Sequence, residues 1–100
     1  MYIAMNRFKI ALGQEDEFIN VWKSRDTFLD EVPGFKEFHL LQGPTNEEYT
    51  LFSSHTVWEN ETDFINWTKS EAFRKAHANA GSNKSLYLGP PQFEGFNSVI

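Results

Sequence analysis

The chain has 100 residues, which suits a single domain that spans residues 1–100. Nine basic against fourteen acidic residues give a net charge of −5, so the chain lacks the basic surface that nucleic acid binding requires. The absence of cysteine excludes disulfides, thiolate metal sites and thiol nucleophiles. Aromatic residues make up 16% of the chain, which predicts flat apolar surfaces that pack on a sheet, a partner or a planar ligand.

The apolar stretch at the N-terminus is short. It runs from Tyr2 to Met5 and is interrupted at once by Asn6 and Arg7. Such a pattern is typical of neither a signal peptide nor a membrane span. We therefore expect a cytoplasmic protein that has no membrane partner.

The first thirty residues predict a strand followed by a helix. Mostly apolar residues recur at every second position along Tyr2–Leu12, and this two-residue period is typical of a strand. Gly13 ends this pattern, and Gln14–Asp30 then has helical spacing with acidic residues near its start, where the helix dipole favours them. One face of the predicted strand carries Tyr2, Ala4, Asn6, Phe8, Ile10 and Leu12.

The rest of the chain predicts three more strands and a broken helical region. The predicted strands are Phe35–Gln42, Tyr49–Trp58 and, approximately, Gln92–Val99. Turn residues separate the first two of these strands, and residues 81–91 have the composition of a loop. Asn60 and Ser70 are the predicted N-caps of two successive short helices.

This order of elements, β-α-β-β-α-β, predicts an α+β ferredoxin-like fold with a four-stranded antiparallel sheet and helices on one face. The strands also carry apolar residues on their other face, and a single chain has no second layer of helices to cover it. We therefore expect a homodimer in which two such faces meet through symmetric contacts.

Two polar residues occupy positions where the pattern predicts apolar ones. Asn6 lies in the first strand among Tyr2, Ala4, Phe8 and Ile10. Its amide either satisfies a neighbouring backbone group or donates into a pocket between the sheet and the helices. His77 follows Phe73 by one helical turn among small alanines, and it is either a packed core residue or an axial ligand for iron.

Other reactive patterns are missing from the sequence. His39 and His55 lie on predicted strands without a second ligand at short spacing, so no classical zinc pattern is formed. Nucleophile-elbow and glycine-rich phosphate-binding motifs are absent as well. Trp67 precedes His77 by ten residues, and core packing is its simplest interpretation, as it is for Trp22 and Trp58.

The chain resembles the IsdG-type haem-degrading monooxygenases of the antibiotic-biosynthesis-monooxygenase superfamily, which are dimeric α+β barrels. The likeness covers residues 2 to about 80 and is greatest to the HmuQ/HmuD-like haem oxygenases of bacterial haem uptake. The residues that carry it are Ala4–Arg7, Pro33–Phe35, Thr56–Glu61, Phe64, Trp67, Lys69–Ser70, Phe73 and Ala76–His77.

The resemblance implies a site that consists of Asn6, Trp67 and His77. It implies haem as both substrate and cofactor, with His77 as the axial ligand of the haem iron, Asn6 as a hydrogen-bond donor on the opposite side and Trp67 pressed against the porphyrin. It further implies O₂ and an external electron donor, with a linear tetrapyrrole and iron as products. The segment Lys84–Pro91 departs from the staphylococcal pattern, so the position of ring cleavage is not part of what the resemblance implies.

Three other interpretations remain open from the sequence. A cofactor-free monooxygenase of the same superfamily would oxidise a quinol or a polyketide-like aromatic compound, with His77 as a base. A haem-binding dimer would hold haem without cleaving it. An inert α+β dimer would use Asn6 and His77 as structural residues only.

Overall fold

A computed structural model of the chain describes residues 1–24, 29–76 and 86–100. The fold is the predicted α+β ferredoxin-like fold, with a four-stranded antiparallel sheet in the order β2-β3-β1-β4. None of the helices within the described ranges is long and apolar enough to cross a bilayer. In chain order the elements are β1 (Tyr2–Ala11), α1 (Glu15–Ser24), a 3₁₀ helix (Leu29–Glu31), β2 (Phe35–Thr45), β3 (Tyr49–Trp58), α2 (Glu61–Thr68), α3 (Glu71–Ala76) and β4 (Gln92–Asn97).

Strand β1 lies inside the sheet and pairs along its whole length with β3, and along its first half with β4. The predicted alternation is confirmed for Tyr2, Ala4, Phe8 and Ile10, which are all buried on the side that the helices cover. The prediction is wrong at Leu12, which lies beyond the end of β1 at Ala11 and is exposed. Asn6 is half-buried on this same side. The strand therefore presents one polar side chain within a row of apolar ones.

The core consists of two aromatic clusters on the helix-covered side of the sheet. The first cluster lies at the start of β1 and includes Trp58 of β3 and Trp67 of α2. The second lies at the end of β1 and includes Phe18 of α1 and Phe52 of β3. Within the first cluster Trp58 is fully buried, and its indole Nε1 donates to Thr56 Oγ1 at 2.9 Å, so this large ring is held without an unsatisfied polar group.

Several element boundaries differ from the sequence-based predictions. Helix α1 runs from Glu15 to Ser24, and the predicted helical continuation to Asp30 is wrong at its end, where Leu29–Glu31 forms a separate 3₁₀ turn. The predicted helical positions Arg25 and Phe28 lie outside the described residues.

Strand β2 continues beyond Gln42 to Thr45, through residues predicted to form a turn. Pro44 is tolerated there because β2 is an edge strand, where a missing backbone donor costs little. Thr45 pairs with Thr50 of β3, and their hydroxyl oxygens lie 2.8 Å apart. Strand β4 ends at Asn97, two residues earlier than predicted.

Both predicted N-caps are confirmed. The side-chain oxygen of Asn60 accepts a hydrogen bond from the backbone nitrogen of Asp63 at 2.9 Å, at the start of α2. The Ser70 hydroxyl accepts one from the backbone nitrogen of Phe73 at 3.2 Å, at the start of α3. These caps set where the two short helices begin, and so fix the position of Trp67 between them.

The carboxylate of Glu15 ties the start of α1 to the sheet. It accepts hydrogen bonds from the backbone nitrogen of Gly13 at 3.0 Å and from the hydroxyl of the fully buried Thr50 at 3.2 Å. These donors, the Gly13 nitrogen foremost, hold the pKa of Glu15 below its ordinary value of 4.5. The ionised form therefore stabilises the fold above pH 4.5, and this contribution is lost as the pH falls through the lowered pKa.

We predict that Glu15→Gln makes the stability of the protein less sensitive to acid. The free energy of unfolding, measured by urea denaturation at about pH 7 and about pH 3, should fall by less in this variant than in the natural protein, because a group that titrates differently in the folded and unfolded states has been removed. The matched control is Glu17→Gln, which makes the same charge change at an exposed position of the same helical turn. Equal acid sensitivity of the two variants would refute the role given to Glu15.

Candidate functional site

The candidate site is centred on Asn6, at the boundary between the two aromatic clusters. Its neighbours on the same side of β1 are Ala4, which belongs to the first cluster, and Phe8, which belongs to the second. In the sheet register Asn6 lies directly opposite Ser54 of β3 on one side and Phe93 of β4 on the other. This polar position of β1 therefore faces the helices.

The side chains of Asn6 and Ser54 both have unused hydrogen-bonding groups. Asn6 is half-buried and Ser54 is only 8% exposed, yet neither side chain makes a hydrogen bond with any residue that the structure describes. Of the two interpretations of Asn6, a structural amide bonded to a neighbouring backbone group is not formed among the described residues, and a donor toward a ligand stays a prediction.

Ser54 was missed by the sequence analysis. Its signal was the alternation along β3, in which Thr50, Phe52, Ser54 and Thr56 are the buried positions. Ser54 lies at the centre of this row and directly opposite Asn6, so two polar residues are neighbours across the strands. Only the pairing register of β1 with β3, which the sequence alone does not specify, brings the two together.

Trp67 is 8% exposed and packs within the first cluster. Its ring centroid lies 5.4 Å from that of Trp58 and 4.8 Å from that of Phe73, with Phe73 nearly perpendicular at 85°. Edge-to-face contacts of this kind hold a ring in one orientation. The expectation that Trp67 packs in the core is confirmed, while its role toward a ligand stays a prediction.

Trp22 of α1 stands over the second cluster, and the sequence analysis treated it only as a core residue. It stacks on Phe38 of β2 at 5.5 Å and 21°, and meets Phe8 edge-on at 6.0 Å. A cavity of about 360 Å³ opens beside this stack, and its walls are almost entirely apolar. The residues that line it are Ile19, Trp22, Lys23, Phe38, Leu40, Gln42 and Phe52, among which Lys23 is the one charged residue.

A second cavity, of about 300 Å³, lies on the outer side of Trp67. Among the described residues, its lining includes the carboxylates of Glu31 and Asp63 and no basic residue. The two cavities therefore differ in charge.

The third predicted site residue, His77, lies outside the described residues. The described part of α3 reaches Ala76, the residue before it. His39 and His55 lie on the other face of the sheet from Asn6. The structure therefore places Asn6 and Trp67 on the same helix-covered side, and the assignment of His77 as an iron ligand remains a prediction.

The fold and this aromatic region define a ferredoxin-like α+β protein with a candidate ligand site between sheet and helices. The family model for antibiotic biosynthesis monooxygenase matches residues 1–79, so the chain belongs to this family, as the sequence analysis predicted.

Relatives and solved structures show which proteins the chain is similar to. It is 38% identical over 89 residues to a haem-degrading monooxygenase from Shouchella clausii, covering 89% of this chain and 82% of that protein. It is 27% identical over 85 residues to a staphylobilin-producing haem oxygenase from Staphylococcus saprophyticus, covering 85% of this chain and 81% of that protein.

Two structures illustrate the range of the fold. MhuD from Mycobacterium tuberculosis, solved with two haems bound in its active site, has a TM-score of 0.74 and 25% identity, with 100% of this chain and 97% of that chain covered. SnoaB from Streptomyces nogalater, a cofactor-independent oxygenase solved as a point mutant, has a TM-score of 0.71 and 20% identity, with 99% of this chain and 93% of that chain covered. The second likeness is one of fold alone.

We predict that Asn6→Val stabilises the protein. Valine fits a strand between apolar neighbours better than an amide without a partner, so the free energy of unfolding should rise by about 0.5–1 kcal/mol in urea denaturation. The matched control is Asn97→Val, at an exposed position at the end of β4. A loss of stability in Asn6→Val alone would show that the amide has a structural role.

Proposed function

We propose that this chain is a haem-degrading monooxygenase, which cleaves haem with O₂ and an external reductant to a linear tetrapyrrole and releases iron. The observation that carries the proposal is the Asn6 amide, held without a hydrogen-bond partner among the described residues at the boundary of two aromatic clusters. An amide without a partner at this position is available to a ligand that enters between the sheet and the helices.

The described residues suit haem in shape and in charge. A flat apolar macrocycle needs flat apolar walls, and Trp22, Phe38 and Phe8 supply them on one side of Asn6, as Trp67 and Phe73 do on the other. Haem also carries two propionate carboxylates. Lys23 supplies a positive charge in the lining of the apolar cavity, in a chain whose net charge is −5.

Each predicted site residue has a distinct task in this proposal. The imidazole of His77 would hold the haem iron. The Asn6 amide, which lies opposite Ser54 in the strand register, would donate a hydrogen bond to the bound ligand. Trp67, fixed by Trp58 and Phe73, presses on the porphyrin and so orients it. When bound, haem supplies both the iron that activates O₂ and the carbon that is oxidised.

The relatives support haem rather than another substrate. The protein from Shouchella clausii is a haem-degrading monooxygenase at 38% identity, and MhuD binds haem. The alternative is a cofactor-free oxygenation of a quinol or a polyketide-like aromatic, since SnoaB, a cofactor-independent oxygenase, has the same fold. Oxygen consumption by the haem-free protein with a quinol would favour this alternative, whereas the proposal expects none.

We predict that Asn6→Ala separates haem binding from turnover. Haemin should still bind, with a saturable Soret shift, but ascorbate-driven loss of that band should slow on the order of 100-fold because one preorganised donor is gone. The matched control is Asn20→Ala, an exposed amide on α1. Normal turnover in Asn6→Ala would remove this residue from the mechanism.

We predict that His77→Ala loses both the iron coordination and the activity. The Soret band of the haemin complex should shift toward that of weakly coordinated haemin, and degradation should stop. Added imidazole should restore the band in this variant, because it replaces the missing ligand. Unchanged spectra and rates in His77→Ala would refute the assignment of His77.

We also propose a homodimer, formed by the sheet face that the helices leave open. This face carries apolar side chains, including the exposed Leu41 and Phe96 and the partly buried Ile3 and Met5. Two such faces packed together would remove these residues from water. Light scattering at micromolar concentration should give twice the chain mass of 11.6 kDa, whereas a mass of one chain would contradict the dimer.

A further inference from the structure

Phe93 of β4 is an exposed aromatic ring on the helix-covered side of the sheet. It lies directly opposite Asn6 of β1 in the strand register, and directly opposed residues point to the same face. Tyr2 and Trp58 on this side are at most 5% exposed, whereas Phe93 is 52% exposed. The proposed homodimer buries the opposite face of the sheet, so it does not remove this ring from water.

The ring of Phe93 is held in a defined position. It stacks on Phe64 of α2, with ring centroids 5.6 Å apart and 8° between the planes. Its tip leans over Gly95, where a Cβ atom would lie 3.3 Å from Phe93 Cζ and would collide with the Tyr2 hydroxyl. Glycine at this position therefore leaves room for both rings. Because Phe64 covers one face of Phe93, the exposed area of Phe93 belongs to its other face and its edge.

The Phe93 ring is continuous with the aromatic residues around Asn6. Phe64, on which it stacks, packs against the first cluster, and the centroid of Phe64 lies 6.0 Å from that of Trp67. A single intervening ring thus connects Phe93 to Trp67. A flat ring with one free face is a surface on which a planar ligand can stack. Phe93 therefore extends the candidate site from Asn6 toward the edge strand β4.

We propose that Phe93 is a porphyrin-binding residue, whose ring packs against the haem macrocycle beside Asn6. This inference rests on the proposed function, because haem is the planar ligand assigned to the site. Phe64 lies behind Phe93 and holds it in place. A flat apolar side chain contributes to binding through buried area and ring stacking, and it requires neither the iron nor a hydrogen bond. Phe93 should therefore contribute equally to the binding of haem and of a porphyrin without metal.

The test compares the affinity of the full chain, free of haem, for metal-free protoporphyrin IX and for haemin, measured by fluorescence quenching and by the Soret shift. Phe93→Ala should weaken the binding of both porphyrins about tenfold. Phe93→Tyr, which keeps the flat ring, should bind both within about twofold of the natural protein. By contrast, His77→Ala should weaken only the binding of haemin, because the metal-free porphyrin has no iron to coordinate.

The matched control is Phe96→Ala, because Phe96 lies on the same strand, is 48% exposed and points to the opposite face of the sheet. Both alanine variants are compared at a protein concentration at which light scattering gives them the mass of the natural protein, and circular dichroism checks that folding is preserved. Phe96→Ala should bind both porphyrins like the natural protein. Equal porphyrin affinities in Phe93→Ala and Phe96→Ala would overturn the proposal.

The outcome for Phe93 is distinguishable from the outcome for haem degradation. Degradation of haem by the natural protein, together with an unchanged porphyrin affinity in Phe93→Ala, would refute the role of Phe93 alone. Binding of both porphyrins that depends on Phe93, without loss of haem under ascorbate, would support the role of Phe93 and refute haem degradation.

Discussion

The structure depends on the central position of β1 in the sheet. Paired with β3 along its whole length and with β4 from Tyr2 to Arg7, this strand is held in one register, so each side chain is assigned to one face. Four apolar residues on the helix-covered face build the two aromatic clusters, and Asn6 separates them. A shift of one residue would turn Asn6 to the open face and expose Phe8 and Ile10.

Aromatic packing, rather than hydrogen bonding, shapes the walls of the site. Trp67 is held by Trp58 and Phe73, and Trp22 by Phe38 and Phe8, so each ring is positioned by contact with two others. The caps at Asn60 and Ser70 and the Glu15 carboxylate then fix the helices that carry these rings. Rigid aromatic walls around a polar position without a partner are suited to a flat ligand that makes few but specific hydrogen bonds.

Much of this arrangement can be predicted from the sequence because it depends on local periodicity. Alternation along β1 identified the buried face and singled out Asn6, and the Asn60 and Ser70 caps located two short helices. The features that were missed depend on which strands are neighbours. The pairing of Ser54 with Asn6, the stack of Trp22 on Phe38 and the extension of β2 through Pro44 all arise from cross-strand register and edge position, which no local pattern encodes. The assignment of His77 as an iron ligand rests on the family resemblance, and this residue lies outside the described ranges.

Membership of the antibiotic biosynthesis monooxygenase family is compatible with haem degradation and with cofactor-free oxygenation. An assay of the natural protein with haem distinguishes the two most directly. The measurement is a haemin titration of the haem-free protein, followed by ascorbate in the presence of catalase, with an iron chelator in the solution. The account predicts a saturable Soret shift, then loss of that band with the growth of a linear tetrapyrrole absorption and one chelated iron per haem consumed. A stable Soret band after reduction, or no shift on titration, would contradict it.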